Sequence, residues 1–179
     1  MKKIMLIALA SLVFSSCYTT LLYEPEKSGD SLVMGCLEFE AANVPAKYGI
    51  SMSGTHHSGV KLEILETSTG KEFNVVSGVD GFFYFVGKPD EEYQIKKILF
   101  KKKNGKSWFM YSSTLHGLSI KPQAGVVHNL GTIHWFIDAS NEGNDIKQIR
   151  DDFDKIQEIL NEKYFESGWN QFVIEETIL

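Results

Sequence analysis

The five histidines carry the chemistry in this sequence that most readily builds a metal or catalytic site. They are His56, His57, His116, His128 and His134. Neighbouring residues point to opposite faces of a strand, so His56 and His57 can reach one ion only from a loop. A zinc site needs three or four ligands that converge on one point. We take His56, His57 and His128 as candidate ligand or metal residues, against the ordinary alternative of surface or hydrogen-bonded histidines.

The spacing of His128 and His134 argues against a shared ion. The two residues have the same parity along a predicted strand, so they lie on one face unless Gly131 introduces a bulge. Even on one face, six residues of strand separate them by about 20 Å. Any metal would therefore need ligands from separate segments, and the identity of such a metal stays unknown.

Several local signatures of catalysis are missing from the chain. It contains no G-x-S-x-G, no H-E-x-x-H and no glycine-rich phosphate loop. A Ser-His-Asp triad is defined by geometry, so counting residues cannot decide on one. The carboxylates at 90–92 and 175–176 lie in polar or terminal stretches and are typical of solubilising charge. We therefore assign no catalytic residue and predict that the protein is not an enzyme.

The amino-terminal residues have the pattern of an export signal. Lys2 and Lys3 precede eleven uncharged residues at 4–14, and Ser15, Ser16 and Cys17 follow. Such a run is too short to span a membrane, which needs about 20 apolar residues. A basic head with an apolar stretch of about 7 to 15 residues is typical of a signal peptide.

The sequence Phe14-Ser15-Ser16-Cys17 resembles the lipobox of bacterial lipoproteins. Phe14 and Ser16 stand where the usual box has Leu and Ala or Gly, a departure shared with the relaxed boxes of spirochaetes. The resemblance implies that residues 1–16 are removed, that Cys17 carries covalent lipid such as palmitate, and that 17–30 form a lipidated tether. It implies no other cofactor and places the protein in the cell envelope, at the outer membrane, the periplasmic side of the inner membrane, or the cell surface.

Composition limits the partners of the remaining chain. Removing residues 1–16 leaves 163 residues with 16 basic and 23 acidic side chains, a formal charge of −7. That length fits one domain, and the acidic balance argues against a nucleic acid partner. The lysines at 96–97, 101–103 and 106 are expected to form a solvated strand end and turn. The alternative is contact with anionic lipid headgroups or an acidic glycan.

The expected state of Cys36 follows from the assignment of lipid to Cys17. If Cys17 carries lipid, Cys36 has no partner within the chain, which has two cysteines. It lies in an apolar run, so we expect a buried, inert thiol.

Hydropathy of period two dominates residues 31–138. Leu37 and Phe39 alternate with Glu38 and Glu40, and residues 60–66 alternate in the same way. Asp80-Gly81 and Asn104-Gly105 are typical of hairpin turns. Residues 82–86 are apolar on both faces and are expected to form a central strand. Further strands are expected near 73–76, 93–100, 107–111, 115–120 and 126–137, which predicts a mainly β fold, an antiparallel β-sandwich over 31–138.

One part of this region is similar to the carboxypeptidase-regulatory-like, or transthyretin-like, sandwich modules. The similarity rests on residues 59–64, Thr69-Gly70, the Asp80-Gly81-Phe82 turn, Pro89 and the Tyr93-Gln94-Ile95 strand, about 40 of 179 residues. It implies an immunoglobulin-like or prealbumin-like sandwich and no catalytic group.

After residue 138 the period changes. Ile146, Ile149, Phe153, Ile156 and Leu160 follow one another at spacings of three and four. With Asn144 or Asp145 as a cap, this predicts an amphipathic helix of about five turns. Residues 139–179 are then a helix and tail packed on the sandwich, with 172–174 as a last strand or docked tail.

The sequence thus favours a non-catalytic, membrane-anchored envelope lipoprotein that binds or scaffolds. Its expected partners are the membrane, through the lipid, and an envelope protein or glycan. The alternatives are a ligand-binding lipoprotein for a metal ion or glycan and, less favoured, a hydrolase with a non-standard site.

Overall fold

The computed structural model describes residues 29–44, 52–104, 107–138, 140 and 143–179. Cys17, the predicted signal peptide and all but the last two residues of the predicted tether lie outside these ranges. Within them, no helix is long and apolar enough to cross a membrane.

The described residues form eleven strands and one α-helix, and the mainly β prediction is confirmed. The strands are β1 Ser31–Val44, β2 Met52–His56, β3 Val60–Glu66, β4 Lys71–Val76, β5 Phe82–Gly87, β6 Tyr93–Asn104, β7 Ser107–Thr114, β8 Ser119–Ile120, β9 Val126–Asp138, β10 Gly143–Ile149 and β11 Val173–Glu176. Helix α1 spans Phe153–Lys163, and two 3₁₀ turns follow at Phe165–Ser167 and Trp169–Gln171. Residues after 138 thus supply two strands as well as the helix.

The strands form two sheets. Sheet A has the order β10-β9-β1-β2, with β5 also paired to β1 and β11 also paired to β9. Sheet B has the order β4-β3-β6-β7, with β8 also paired to β6. The expectation of purely antiparallel sheets is wrong, because β9 runs parallel to both β1 and β11.

The parallel pairing follows from where β9 begins. The chain returns to sheet A at the end where β1 starts: the Ser31 hydroxyl donates to the Val126 carbonyl at 2.8 Å, and the Gly125 amide donates to the Asp30 carbonyl at 3.1 Å. Two adjacent strands that start at the same end must run in the same direction. Periodicity alone carries no information about that connection.

A large apolar cluster joins the two sheets. Leu37 and Phe39 of β1, Phe100 of β6 and Trp135 of β9 are fully buried in it. Phe39 stacks on Phe100 with 4.2 Å between ring centroids and meets Trp135 edge-on. Aromatic pairs at such distances stabilise a core beyond the area that they bury.

A second cluster covers the other face of sheet A. Met34 and Cys36 of β1 contact a set that includes Ile156 and Leu160 of α1 and the buried Trp169. The layers are therefore α1, sheet A and sheet B. One helix near the carboxyl terminus is confirmed, and it packs on sheet A.

The predicted five-turn helix is wrong in its first half. Residues 143–149 form β10, whose Ile146 pairs with Trp135 of β9, and α1 begins only at Phe153. Pairing with β9 gives this segment backbone hydrogen bonds along one edge. Phe153, Ile156 and Leu160 keep the predicted stripe and are buried.

The Asp80-Gly81 turn joins two sheets and makes no hairpin. It connects β4 of sheet B to β5 of sheet A, with the Asp80 carboxylate accepting the Phe82 amide at 3.1 Å. The prediction that 82–86 form a central strand is also wrong, since β5 pairs only with β1 among the described strands. It is apolar on both faces because Phe82 meets the helix layer and Phe83 meets sheet B.

One further turn prediction and one strand prediction have different outcomes. β6 and β7, the strands on either side of Asn104-Gly105 in the sequence, pair as antiparallel neighbours, as predicted. The strand expected at 115–120 is shorter than predicted and spans only Ser119–Ile120.

Strand β9 contains a bulge at Gly131. Met34 pairs with Asn129 and Cys36 with Thr132, so β9 has one extra residue, and Gly131 has a φ of 65°. The Asn129 side-chain oxygen accepts the Gly131 amide at 3.0 Å. The bulge reverses the parity of the strand beyond it.

We predict that Gly131→Ala destabilises the fold far more than Gly70→Ala. Both glycines have positive φ, but a Cβ at Gly131 would lie 2.5 Å from the Ile149 carbonyl oxygen, whereas none lies within 4 Å at Gly70. Left-handed strain alone costs about 1 kcal/mol at Gly70, and the added clash raises the loss to about 2–4 kcal/mol at Gly131. Urea unfolding measures both, and equal losses would contradict the bulge.

Candidate functional site

His56 lies at the rim of the core between the sheets. Its ring stacks near Phe39 and Phe100, at centroid distances of 6.1 and 5.2 Å. Burial lowers the pKa of His56, and the positive charge of Lys102 lowers it further. Its Nε2 atom is buried without a hydrogen-bond partner. The ring is thus a neutral aromatic member of the core rim.

His57 belongs to a row of charged groups on the outer face of sheet A. Its Nδ1 atom lies 3.7 Å from Glu38 Oε1. On the far side of Glu38, His134 Nε2 lies 3.8 Å from Glu38 Oε2 and 3.0 Å from Glu40 Oε2. The order is His57, Glu38, His134, Glu40. Two of these four residues, Glu38 and Glu40, were noted in the sequence only as the polar face of a strand.

The row can hold ion pairs. His134 is buried, with 8% of its surface exposed, and its Nδ1 atom has no hydrogen-bond partner. Within the described ranges, no group of three or more His, Cys, Asp or Glu residues is arranged to hold a metal ion. The ordinary role of the row is therefore electrostatic pairing of β1 with β9.

The bulge at Gly131 separates His128 from His134. His128 pairs with Val33, which faces the core between the sheets, while His134 pairs with Glu38 on the opposite face. His56 pairs with Phe39, six residues along β1 from Val33, or about 20 Å. The structure thus does not bring His56 and His57 together with His128.

His128 clamps the carboxyl-terminal strand. Its Nε2 atom accepts the Gln123 amide at 3.0 Å, so the neutral ring carries its proton on Nδ1 and donates it to Thr177 Oγ1 at 3.0 Å. The residue is 3% exposed. Burial lowers the pKa of His128, and the charge of Glu175 opposes that shift. Both ring nitrogens are committed to structural hydrogen bonds.

We predict that His128 makes the fold less stable in mild acid. Its folded-state pKa lies below the ordinary value of 6.5, so its contribution is complete above that pH and is lost as the pH falls through 6.5 toward the folded-state pKa. Urea unfolding at about pH 7.5 and about pH 5.5 should show a smaller pH difference for His128→Gln than for the wild type.

The exposed His116 supplies the matched control. His116→Gln should leave the pH difference unchanged. An identical pH difference in the wild type and in His128→Gln would contradict the clamp.

Cys36 has no partner and is buried within the helix-side cluster. Burial raises the pKa of its thiol to about 12. At neutral pH the thiolate, which is the nucleophilic form, is scarcely populated. The expectation of a buried thiol is confirmed.

We predict that Cys36 resists thiol reagents until the chain unfolds. In a Cys17→Ala chain it is the only cysteine. The thiol reagent dithiobis(nitrobenzoate), at about pH 8, should leave the folded chain unlabelled and should label one thiol in concentrated urea. Rapid labelling without urea would contradict the burial of this residue.

Two Ser-x-x-Lys sequences fall outside the candidates named above. Ser58 and Lys61, like Ser68 and Lys71, have the spacing of a nucleophile and its lysine in penicillin-recognising enzymes. A helix would place such a pair on one face, but Ser68 lies in the turn between β3 and β4. Its hydroxyl donates to Glu91 Oε2 at 2.5 Å, and its amide donates to Glu91 Oε1 at 2.9 Å. Ser68 therefore closes a turn.

Comparisons with known proteins leave the family open. No model of a protein family matches the sequence, and no curated protein matches it. One solved structure that is similar in part is a leucine-rich repeat protein from Bacteroides thetaiotaomicron, at 10% identity and a TM-score of 0.36. The similarity covers 63% of this chain and 14% of that one.

Proposed function

We propose that this protein is a non-catalytic lipoprotein of the bacterial cell envelope, whose β domain binds or scaffolds a partner at a membrane surface. The observation that carries the proposal is the basic head, the apolar run and Cys17 in that order. Residues 18–30 separate Cys17 from β1 and can span at most about 45 Å. The domain would thus stay close to the membrane that holds the lipid.

The direction of the strands supports a particular orientation. Ser31 pairs with Gly87, and the adjacent Lys88 amide donates to the Tyr93 hydroxyl at 2.9 Å, so β1 and β6 start at the same end. The exposed Lys102 lies nine residues along β6, about 30 Å from that end. In an anchored protein Lys102 would lie at the end of the domain opposite the start of β1, where an acidic envelope partner can meet it; the tether is longer than this distance, so lipid headgroups stay the alternative.

The non-catalytic part of the proposal draws on the residues that could have served as nucleophile or base. Burial keeps the thiol of Cys36 protonated, and both ring nitrogens of His128 form structural hydrogen bonds.

We also propose that the two sheets are a sandwich of the immunoglobulin or prealbumin type. In support, the residues that resemble the transthyretin-like modules form β3 to β6.

We predict that labelled palmitate enters the wild-type protein and fails to enter Cys17→Ala in the bacterial cell. Loss of the acyl chains removes about 0.8 kcal/mol of membrane affinity for each methylene. The variant should therefore also leave the membrane fraction. Gel autoradiography and fractionation measure the two effects.

Cys36→Ala is the matched control, since it removes the other cysteine and leaves the lipobox intact. It should keep both the label and the membrane association. Label that persists in Cys17→Ala would overturn the proposal.

A further inference from the structure

A cleft opens where the edges of the two sheets diverge. β4 is the edge strand of sheet B, and β5 has only β1 as a described partner in sheet A. The cleft between them has a volume of about 330 Å³ and is lined by Glu66, Lys71, Phe73, Val86, Lys88 and Tyr93. Sites for small molecules usually measure about 300–1,000 Å³. The cleft therefore reaches the size of a small ligand.

Aromatic rings form one wall of this cleft. Phe73 meets Tyr93 edge-on, with 6.2 Å between centroids and an interplanar angle of 81°, and meets Phe85 in the same way at 5.7 Å. Val86 of β5 is 45% exposed beside them. An apolar body placed here would cover side chains that now face water.

Charged groups line the other wall. Glu66 is 5% exposed, and its two oxygens accept from Lys88 Nζ at 2.5 Å and from Thr69 Oγ1 at 2.8 Å. The Tyr93 hydroxyl accepts the Lys88 amide, which leaves its own proton free to donate. Lys71 adds a second ammonium group against the single carboxylate. The lining residues therefore carry a net positive charge, while the carboxylate of Glu91, outside the lining, also acts on Lys88 and Tyr93.

We infer that this cleft binds a small amphiphilic carboxylate, with its head toward Lys71 and the Tyr93 hydroxyl and its apolar body against Phe73. A cation would meet two ammonium groups. A neutral sugar would find no amide side chain among the lining residues to match its hydroxyls. The inference deepens the proposed binding role and rests on it for its biological setting.

The test titrates the full chain with phenylbutyrate, phenylbutanol and phenylbutylamine, which share one apolar body and differ in the head group. Calorimetry gives the affinities, and heteronuclear NMR reports which amides shift. We expect saturable binding in the order carboxylate, alcohol, amine, with shifts concentrated at residues 66–73 and 86–93. Equal affinity for all three, no saturation at millimolar ligand, or shifts elsewhere would overturn the inference.

Two variants test the carboxylate head and the apolar body of the ligand separately. Lys71→Gln, at an exposed position, should weaken phenylbutyrate roughly 5- to 10-fold and leave phenylbutanol unchanged. Lys97→Gln, on β6 of the same sheet and outside the lining, is the matched control and should change neither. Phe73→Ala should remove the apolar wall and weaken the binding of all three to a similar extent.

An unchanged phenylbutyrate affinity in Lys71→Gln would overturn the placement of the ligand's carboxylate beside Lys71. Palmitate labelling of Cys17 should be the same in every variant, so a failure of ligand binding leaves the anchoring proposal standing, and the reverse also holds.

Discussion

Strand β1 is buried on both faces, and the other layers depend on it. Its odd-numbered residues, such as Leu37 and Phe39, pack toward sheet B, while Met34 and Cys36 pack toward α1. The same strand pairs with β2, β5 and β9. A strand in this position must be apolar throughout its central part, because a polar side chain on either face would be buried away from water. Removing it would separate the helix from sheet B.

The carboxylates of β1 lie where α1 no longer covers sheet A. Glu38 and Glu40 point to the helix side of β1 but lie beyond Cys36, the last of its residues in the helix-side cluster, and there they meet His57 and His134. Thr132 marks the border, since its hydroxyl bonds to Asp152 at the start of α1 at 2.6 Å. Along β1, the outer face of sheet A is therefore apolar under the helix and ionic beside it.

The cleft follows from the same arrangement. The chain leaves β4 in one sheet and starts β5 in the other, and Asp80 holds the turn both through the Phe82 amide and through Lys163 of α1 at 2.6 Å. Burial opposes ionisation of Asp80, but these bonds outweigh it and lower its pKa. Since β4 and β5 do not pair, the space between their sheets opens beside Phe73 and Val86.

Features that depend on near neighbours could be predicted from the sequence. Alternation gave β3, the Asn-Gly pair gave the β6–β7 connection, and the burial of Cys36 followed from its apolar run. The amino-terminal pattern behind the Cys17 proposal is also purely local. In each of these cases a few adjacent side chains decide the outcome, so no distant contact is needed.

Only the tertiary structure decided which strands share a sheet and which side chains meet. Residues 143–149 fit a helix by spacing, yet pairing with β9 made them a strand. Asp80-Gly81 has the composition of a hairpin, yet β5 found its partner in β1, nearly fifty residues away in sequence. The single extra residue at Gly131 moved His134 onto the face of Glu38. Strand partners and faces are set by contacts between distant segments, because every strand edge offers the same backbone groups and only the packed core chooses among them.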